Sequence, residues 1–238
     1  MELDDGLAIS VSKLSIIYRI RSKKLIGRSK IKEVKALDKV SFQIKKGELV
    51  AVLGKNGSGK TTLLGAIGGH LRPESGTVNT CGRVYTLRGA NPGLVPHISS
   101  RENIRMMSQI YGVPNQERVE FEKQVEEFCD LGEAYDRDYS SLSSGMAGRV
   151  GFGFTTSLTP EILLMDETLG VGDVEFRKKA EKKAMEFMEK GETILLSTHS
   201  LNLAKTICKR GLVLDKGELV FDGPSEDAVD YYLKEIIK

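Results

Sequence analysis

An α/β fold, with a mostly parallel sheet covered by helices on both faces, is predicted by three observations. Apolar runs of strand length recur at residues 49–53, 162–165 and 193–197, and short continuous apolar runs mark strands buried on both faces. Stretches of helical spacing lie between them, and strands that alternate with helices pair in parallel. The first run feeds directly into Gly54-Lys55-Asn56-Gly57-Ser58-Gly59-Lys60-Thr61, a G-x-x-x-x-G-K-T phosphate-binding loop, and Thr62-Leu63-Leu64 can start a helix after it. Strand, glycine loop and helix are the context this motif requires.

In chain order, residues 7–18 alternate apolar and polar positions (Ile9, Val11, Leu14, Ile16) and read as an edge strand. Residues 34–44 repeat the pattern around Leu37, Val40, Phe42 and Ile44, then turn at Lys46-Gly47. The two form an antiparallel β part beside the parallel sheet. Between them Arg19, Arg21, Lys23, Lys24, Arg28, Lys30, Lys32 and Lys35 make a basic segment with Glu33 its only acid. It reads as a solvated hairpin or loop, or as a contact for anionic lipid headgroups or an acidic partner. Residues 83–87 read as a further strand, and a loop rich in Gly and Pro covers 89–96. Residues 100–111 are helical by spacing (Ile104, Met107, Ile110), with Ser99 or Ser100 as N-cap. Residues 116–131 make a second helix with Val119, Val125 and Phe128 on one stripe. The Met and aromatic residues here read as core. These helices form a lobe, about residues 89–157, inserted into a core of about 1–88 and 158–238. A charged helix over 176–190 follows, then a hairpin of 211–215 and 218–221 around Lys216-Gly217, and a C-terminal helix over 227–236. There are no internal repeats and no low-complexity segments.

Composition narrows the class. The 238 residues suffice for one large α/β domain. A net charge of +2 argues against a dedicated nucleic-acid binder. Cys81, Cys129 and Cys208 are scattered, without a C-x-x-C pair, so neither a zinc site nor a disulfide framework is implied and a reducing compartment is expected. Glu2, Asp4 and Asp5 are wrong for a signal peptide. No apolar run approaches the roughly 20 residues of a membrane helix, so work at a membrane would need another chain to supply the span.

The phosphate loop predicts a bound triphosphate with Mg2+. Its glycines let the backbone wrap a triphosphate, and amides at a helix N-terminus point at anions. Gly54, Asn56, Gly57, Ser58, Gly59, Lys60, Thr61 and Thr62 are the candidate binding residues, with Lys60 reaching the β- and γ-phosphates and the Thr61 hydroxyl on the metal. About a hundred residues later, Asp166-Glu167 ends the run Ile162-Leu163-Leu164-Met165. The carboxyl end of a buried strand is where such sheets bind ligands. Asp166 is the candidate metal carboxylate and Glu167 the candidate general base for an attacking water. His199 lies just past another strand and is placed to hydrogen-bond the γ-phosphate. His70 and His97 have no such context.

With Leu142-Ser143-Ser144-Gly145-Met146 the whole chain, from about residue 9 to 233, resembles the ATP-binding subunit of an ABC transporter, a P-loop NTPase core carrying a helical lobe. In that family a sequence like L-S-G-G-Q opens a helix of the lobe. Ser143 and Gly145 match, while Ser144 and Met146 depart. The resemblance implies a head-to-tail homodimer in which Ser143, Ser144 and Gly145 of one copy contact the γ-phosphate held by the other. It implies that Gly170-Val171-Gly172-Asp173 joins the two sites, that Tyr18 at the end of the first strand stacks on adenine, and that an integral-membrane permease is the partner, with the chain peripheral on the cytoplasmic face. The glutamine that the family carries after the strand at 83–87 is missing, and Arg88 or Asn91 is left in its place. The basic insert, the missing glutamine, Ser100-Arg101-Glu102-Asn103-Ile104, Ser143-Ser144-Gly145-Met146 and Asp166-Glu167-Thr168-Leu169-Gly170-Val171-Gly172-Asp173 are similar to the branch that exports capsule, O-antigen or teichoic acid. Some relatives carry a C-terminal carbohydrate-binding domain, and none is expected here. Other cargo (lipid, drug or peptide), a soluble ABC ATPase of DNA repair or translation, and a non-enzymatic nucleotide-binding regulator stay open as alternatives.

Overall fold

The computed structural model describes residues 6–22, 30–88, 93–158, 160–166 and 174–237. Its larger sheet has six strands in the order β5-β6-β7-β3-β8-β9. These are β3 (Leu49–Leu53), β5 (Val84–Arg88), β6 (Ile162–Asp166), β7 (Thr193–Ser197), β8 (Arg210–Asp215) and β9 (Glu218–Pro224). Every pairing is parallel except β8 with β9, which turn tightly through Lys216 and Gly217, both at positive φ. β3 and β7 are buried along their whole length, as continuous apolar runs in a covered parallel sheet should be.

A second, antiparallel sheet has the order β2-β1-β4, with β1 (Leu7–Ser22), β2 (Lys30–Lys45) and β4 (Ser75–Thr80). The edge-strand expectation for β1 is therefore corrected: it is the central strand. β4 escaped sequence reading because Ser-Gly-Thr-Val-Asn-Thr has one apolar residue and stays largely exposed. The β1–β2 pairing also runs past Tyr18 to Ser22↔Lys30, so the described part of the basic segment is hairpin rather than loop. Arg19 there meets Glu33 at 3.0 Å and Glu74 at 2.9 Å. Residues 23–29, with Lys23, Lys24 and Arg28, lie outside the described residues.

The antiparallel sheet and α1 (Lys60–Ile67) cover one face of the large sheet, packing Ile9, Leu14, Leu37, Leu63 and Leu64 against Val50, Val52, Leu164 and Leu195. The opposite face is covered by α5 (Val174–Glu189), α6 (Leu201–Ile207) and α7 (Ser225–Tyr231), with Phe176, Phe187 and Ala204 against Ala51, Leu163 and Leu196. α6 went unnoticed in the sequence, since two turns give too little periodicity to read. Among the described residues no helix is long and apolar enough to cross a membrane.

Between β5 and β6 stand α2 (Ser100–Ile110), α3 (Arg118–Cys129) and α4 (Ser144–Ser157), around a core of their own that includes Ile104, Met107, Phe121, Val125 and Phe154. Ser99 is the N-cap of α2: its hydroxyl accepts from Glu102 N at 3.1 Å, and Glu102 accepts from Ser99 N at 3.0 Å. The stripe expected on α3 is corrected at Val119, while Val125 and Phe128 pack inward as expected. Phe121, Val125 and Cys129, four residues apart, face inward, while Val119 is 79% exposed. A four-residue step keeps to one helix face; the six-residue step from Val119 to Val125 does not. Arg101 ties α2 to α3 through Glu126 at 2.5 Å and reaches Asp136 at 2.7 Å.

Candidate nucleotide site

Strand order decides what the carboxyl edge of the large sheet brings together. β7 lies between β6 and β3, and Val52, Ser197 and Asp166 stand side by side in register. The phosphate loop leaves β3, His199 follows β7 by two residues, and Asp166 ends β6. Segments separated by more than a hundred residues thus share one edge.

The phosphate loop is held by its own backbone. Ser58 N donates to Lys55 O at 3.1 Å, and Leu63 N to Gly59 O at 2.8 Å. Gly59, the N-cap of α1, has φ 109°, and a Cβ there would stand 2.7 Å from the Ala36 carbonyl and 2.8 Å from Leu37 Cδ2. Glycine is required on both counts. No side chain caps α1, so its first-turn amides face the loop as an anion site. Lys60 is 5% exposed; its Nζ donates to Gly54 O at 2.7 Å and Lys55 O at 3.3 Å, which places a buried positive charge inside the loop.

A cleft of about 290 Å³ opens beside the loop. Tyr18, Val34, Lys35 and Ala36 of the hairpin line one side, and Asn56, Gly57, Gly59, Lys60, Thr61 and Thr62 the other. Tyr18 is not the end of β1, but its ring is 39% exposed here and its hydroxyl is 3.3 Å from that of Thr62. An aromatic ring over a phosphate loop fits a purine base. Sequence reading missed the β2 residues, because only the hairpin pairing Tyr18↔Val34 brings them to the loop.

Asp166 is only partly exposed, and its Oδ1 is buried without a hydrogen-bond partner among the described residues. A buried carboxylate oxygen without a partner is costly, and a divalent cation is one group that satisfies it. Asp166 ends β6 on the sheet face that α1 covers, and a carboxylate and a hydroxyl are oxygen donors of the kind magnesium takes. His199 is exposed at the same edge. Ser143 is the N-cap of α4, its hydroxyl accepting from Met146 N at 3.3 Å. Ser143 and Ser144 are exposed, and with Gly145 they lie apart from the cleft of their own chain. Glu167, Gly170, Val171, Gly172, Asp173 and Asn91 lie outside the described residues. Arg88 pairs in register with Asp166.

Residues 37–170 match the ABC transporter family. The chain belongs to that family. Among curated relatives, the O-antigen export system ATP-binding protein RfbB of Klebsiella pneumoniae is 36% identical over 197 residues, covering 83% of this chain and 80% of that protein. The teichoic acids export ATP-binding protein TagH of Lactococcus lactis is 37% identical over 216 residues, 90% of this chain but 46% of that protein. RfbB of Myxococcus xanthus is 38% identical over 83% of this chain and 46% of its own length. The dimeric ATP-binding cassette MJ0796, in a post-hydrolysis state bound to ADP and Pi, superposes with a TM-score of 0.79 at 21% identity, covering 91% of this chain and 98% of that one. At that identity the likeness shows the fold, and the fold is that of an ABC transporter cassette.

One residue of this ABC cassette that sequence reading did not attach to the site is Gly217. Its N–H donates to Ser58 O at 3.0 Å, and its carbonyl accepts from Asp38 N at 2.8 Å. The β8–β9 turn thereby clips the phosphate loop to the start of the cleft wall. Its φ is 87°, and a Cβ would lie 2.8 Å from Ala36 O. The Lys-Gly turn was legible; its contact with a loop some 160 residues earlier was not. Gly217→Ala is expected to cost about 2 kcal/mol of stability through left-handed strain and this backbone contact, and to weaken nucleotide binding. Thermal melts with and without ATP check it. An unchanged melting temperature together with unchanged ATP affinity would remove Gly217 from the site.

Proposed function

We propose that this chain is the ATP-hydrolysing subunit of a polysaccharide exporter, working as a homodimer on an integral-membrane permease. The observation that carries the cargo class is kinship: relatives 36–38% identical over most of this chain are ATP-binding proteins of O-antigen and teichoic acid export. In this reading the permease supplies the membrane span and the cassette sits peripherally on the cytoplasmic face, as befits a relative of export-system ATP-binding proteins.

In this reading Tyr18 packs on the adenine, and Gly54, Asn56, Gly57, Ser58 and Gly59 shape the backbone around the phosphates. Lys60 and the first-turn amides of α1, including those of Thr61 and Thr62, meet the developing negative charge, the main catalytic need of phosphoryl transfer. Magnesium held by Thr61 and Asp166 would neutralise phosphate charge. Glu167, the next residue after Asp166, accepts the proton of the attacking water. His199 hydrogen-bonds the γ-phosphate from the neighbouring strand. Ser143, Ser144 and Gly145 of the second copy complete the phosphate shell with a helix N-terminus, and Asp173 links the two sites. Each site needs both chains, so hydrolysis follows closure.

The test is purification of the tagged chain from membranes. A permease should come with it, and cells lacking the chain should lose surface polysaccharide and retain its lipid-linked form inside. A solute importer as the partner overturns the cargo class, and recovery with ribosomes or DNA overturns the transporter.

A further inference from the structure

Two buried polar atoms without partners lie on register neighbours of the β6–β7 ladder. Ser197 is fully buried, and neither its Oγ nor Asp166 Oδ1 has a hydrogen-bond partner among the described residues. They are register neighbours in parallel strands, so their side chains emerge next to each other on one sheet face. That is the face of α1: Leu195 and Leu164, two residues before each, pack there with Leu63 and Leu64. A buried hydroxyl with no partner is destabilising and is rare in a folded protein, so this one calls for a use. Ser197 brings an O–H donor; the adjacent carboxylate brings an acceptor with capacity to spare.

We propose that Ser197 is a positioning residue for the metal carboxylate. Rotation about its single χ1 lets Oγ–H donate to the Asp166 carboxylate, which fixes that group toward the start of α1 and Thr61. The hydroxyl does not touch nucleotide or metal; it limits the orientations that Asp166 samples. Donors behind a metal-holding carboxylate typically account for about 10- to 100-fold in metal affinity. No motif marks Ser197, which reads in sequence as the last residue of an apolar strand. Only the strand order places it beside Asp166. The inference rests on Asp166 and Thr61 holding magnesium.

The experiment is equilibrium binding of a fluorescent ATP analogue to the full chain over a range of Mg2+ concentrations, and again in EDTA. Wild type should bind more tightly as Mg2+ rises; if it does not, the magnesium site itself fails and this role with it. Given that dependence, Ser197→Ala and Ser197→Val should shift the Mg2+ midpoint upward by about tenfold, with binding in EDTA unchanged. Ser197→Thr should restore the wild-type midpoint, which a purely structural role for the side chain volume would not predict, because Val and Thr have nearly the same shape. A thermal melt without ligand is the folding control for each variant. A wild-type midpoint in Ser197→Ala, or equal midpoints in the Val and Thr variants, overturns the proposal while leaving Asp166 and Thr61 in place.

Discussion

Lys60→Ala is expected to lower ATP affinity by about 100-fold or more while the chain remains folded. The ammonium is nearly buried and donates to the carbonyls of Gly54 and Lys55, both within the loop that would wrap the phosphates. Hydrogen bonds to charged groups are worth about 1.5–3 kcal/mol each, and every 1.4 kcal/mol is tenfold in affinity. Loss of the charge therefore weakens the anion site, and loss of the two donors frees the loop backbone as well. The fold should survive, because the loop is also held by Ser58 N on Lys55 O and by Gly217 N on Ser58 O. Lys60→Arg should fail too: a planar guanidinium cannot take the place of a compact ammonium in so closed a site. Isothermal titration with ATP, with a thermal melt as the folding control, decides it. Wild-type affinity in Lys60→Ala would sink the phosphate-loop reading, whatever the relatives do.

How much of this was legible in the sequence depended on how local each signal is. The phosphate loop, Asp166 and His199 could be read because each sits at the end of a continuous apolar run, and buried parallel strands are made of such runs. Their convergence on one edge followed from the expected sheet class. What escaped was non-local or too polar to carry a pattern. β4 has a single apolar residue; β1 reads as half-buried whether one neighbour or two pair with it. Val34, Lys35 and Ala36 reach the cleft only through hairpin register, Gly217 only through a turn folded back onto the loop, and Ser197 only because β7 falls between β6 and β3. On α3 the expected stripe failed only at Val119: two helix faces are partly apolar, Phe121 and Val125 pack in the lobe core, and Phe128 packs on Phe152 and Phe176.

Glu167→Gln should separate binding from chemistry. The amide keeps the size and hydrogen-bonding reach of the carboxylate but cannot take a proton, so ATP should bind as in wild type. A positioned general base contributes about 10²- to 10⁴-fold, and hydrolysis should fall by that factor. If closure of two copies precedes hydrolysis, the slowed variant accumulates as an ATP-bound dimer, which size-exclusion with ATP and light scattering would register; wild type should return to its resting state as ATP is consumed. The comparison with His199→Ala distinguishes the two candidate catalytic residues. A residue that only stabilises the γ-phosphate charge should weaken retention of ATP along with turnover, whereas loss of the base should leave ATP trapped. Normal turnover in Glu167→Gln would move the base role away from this carboxylate. Slow turnover without a dimer would keep the base and dissolve the link between closure and hydrolysis, and with it the reason for placing Ser143, Ser144 and Gly145 of a second copy over the phosphates.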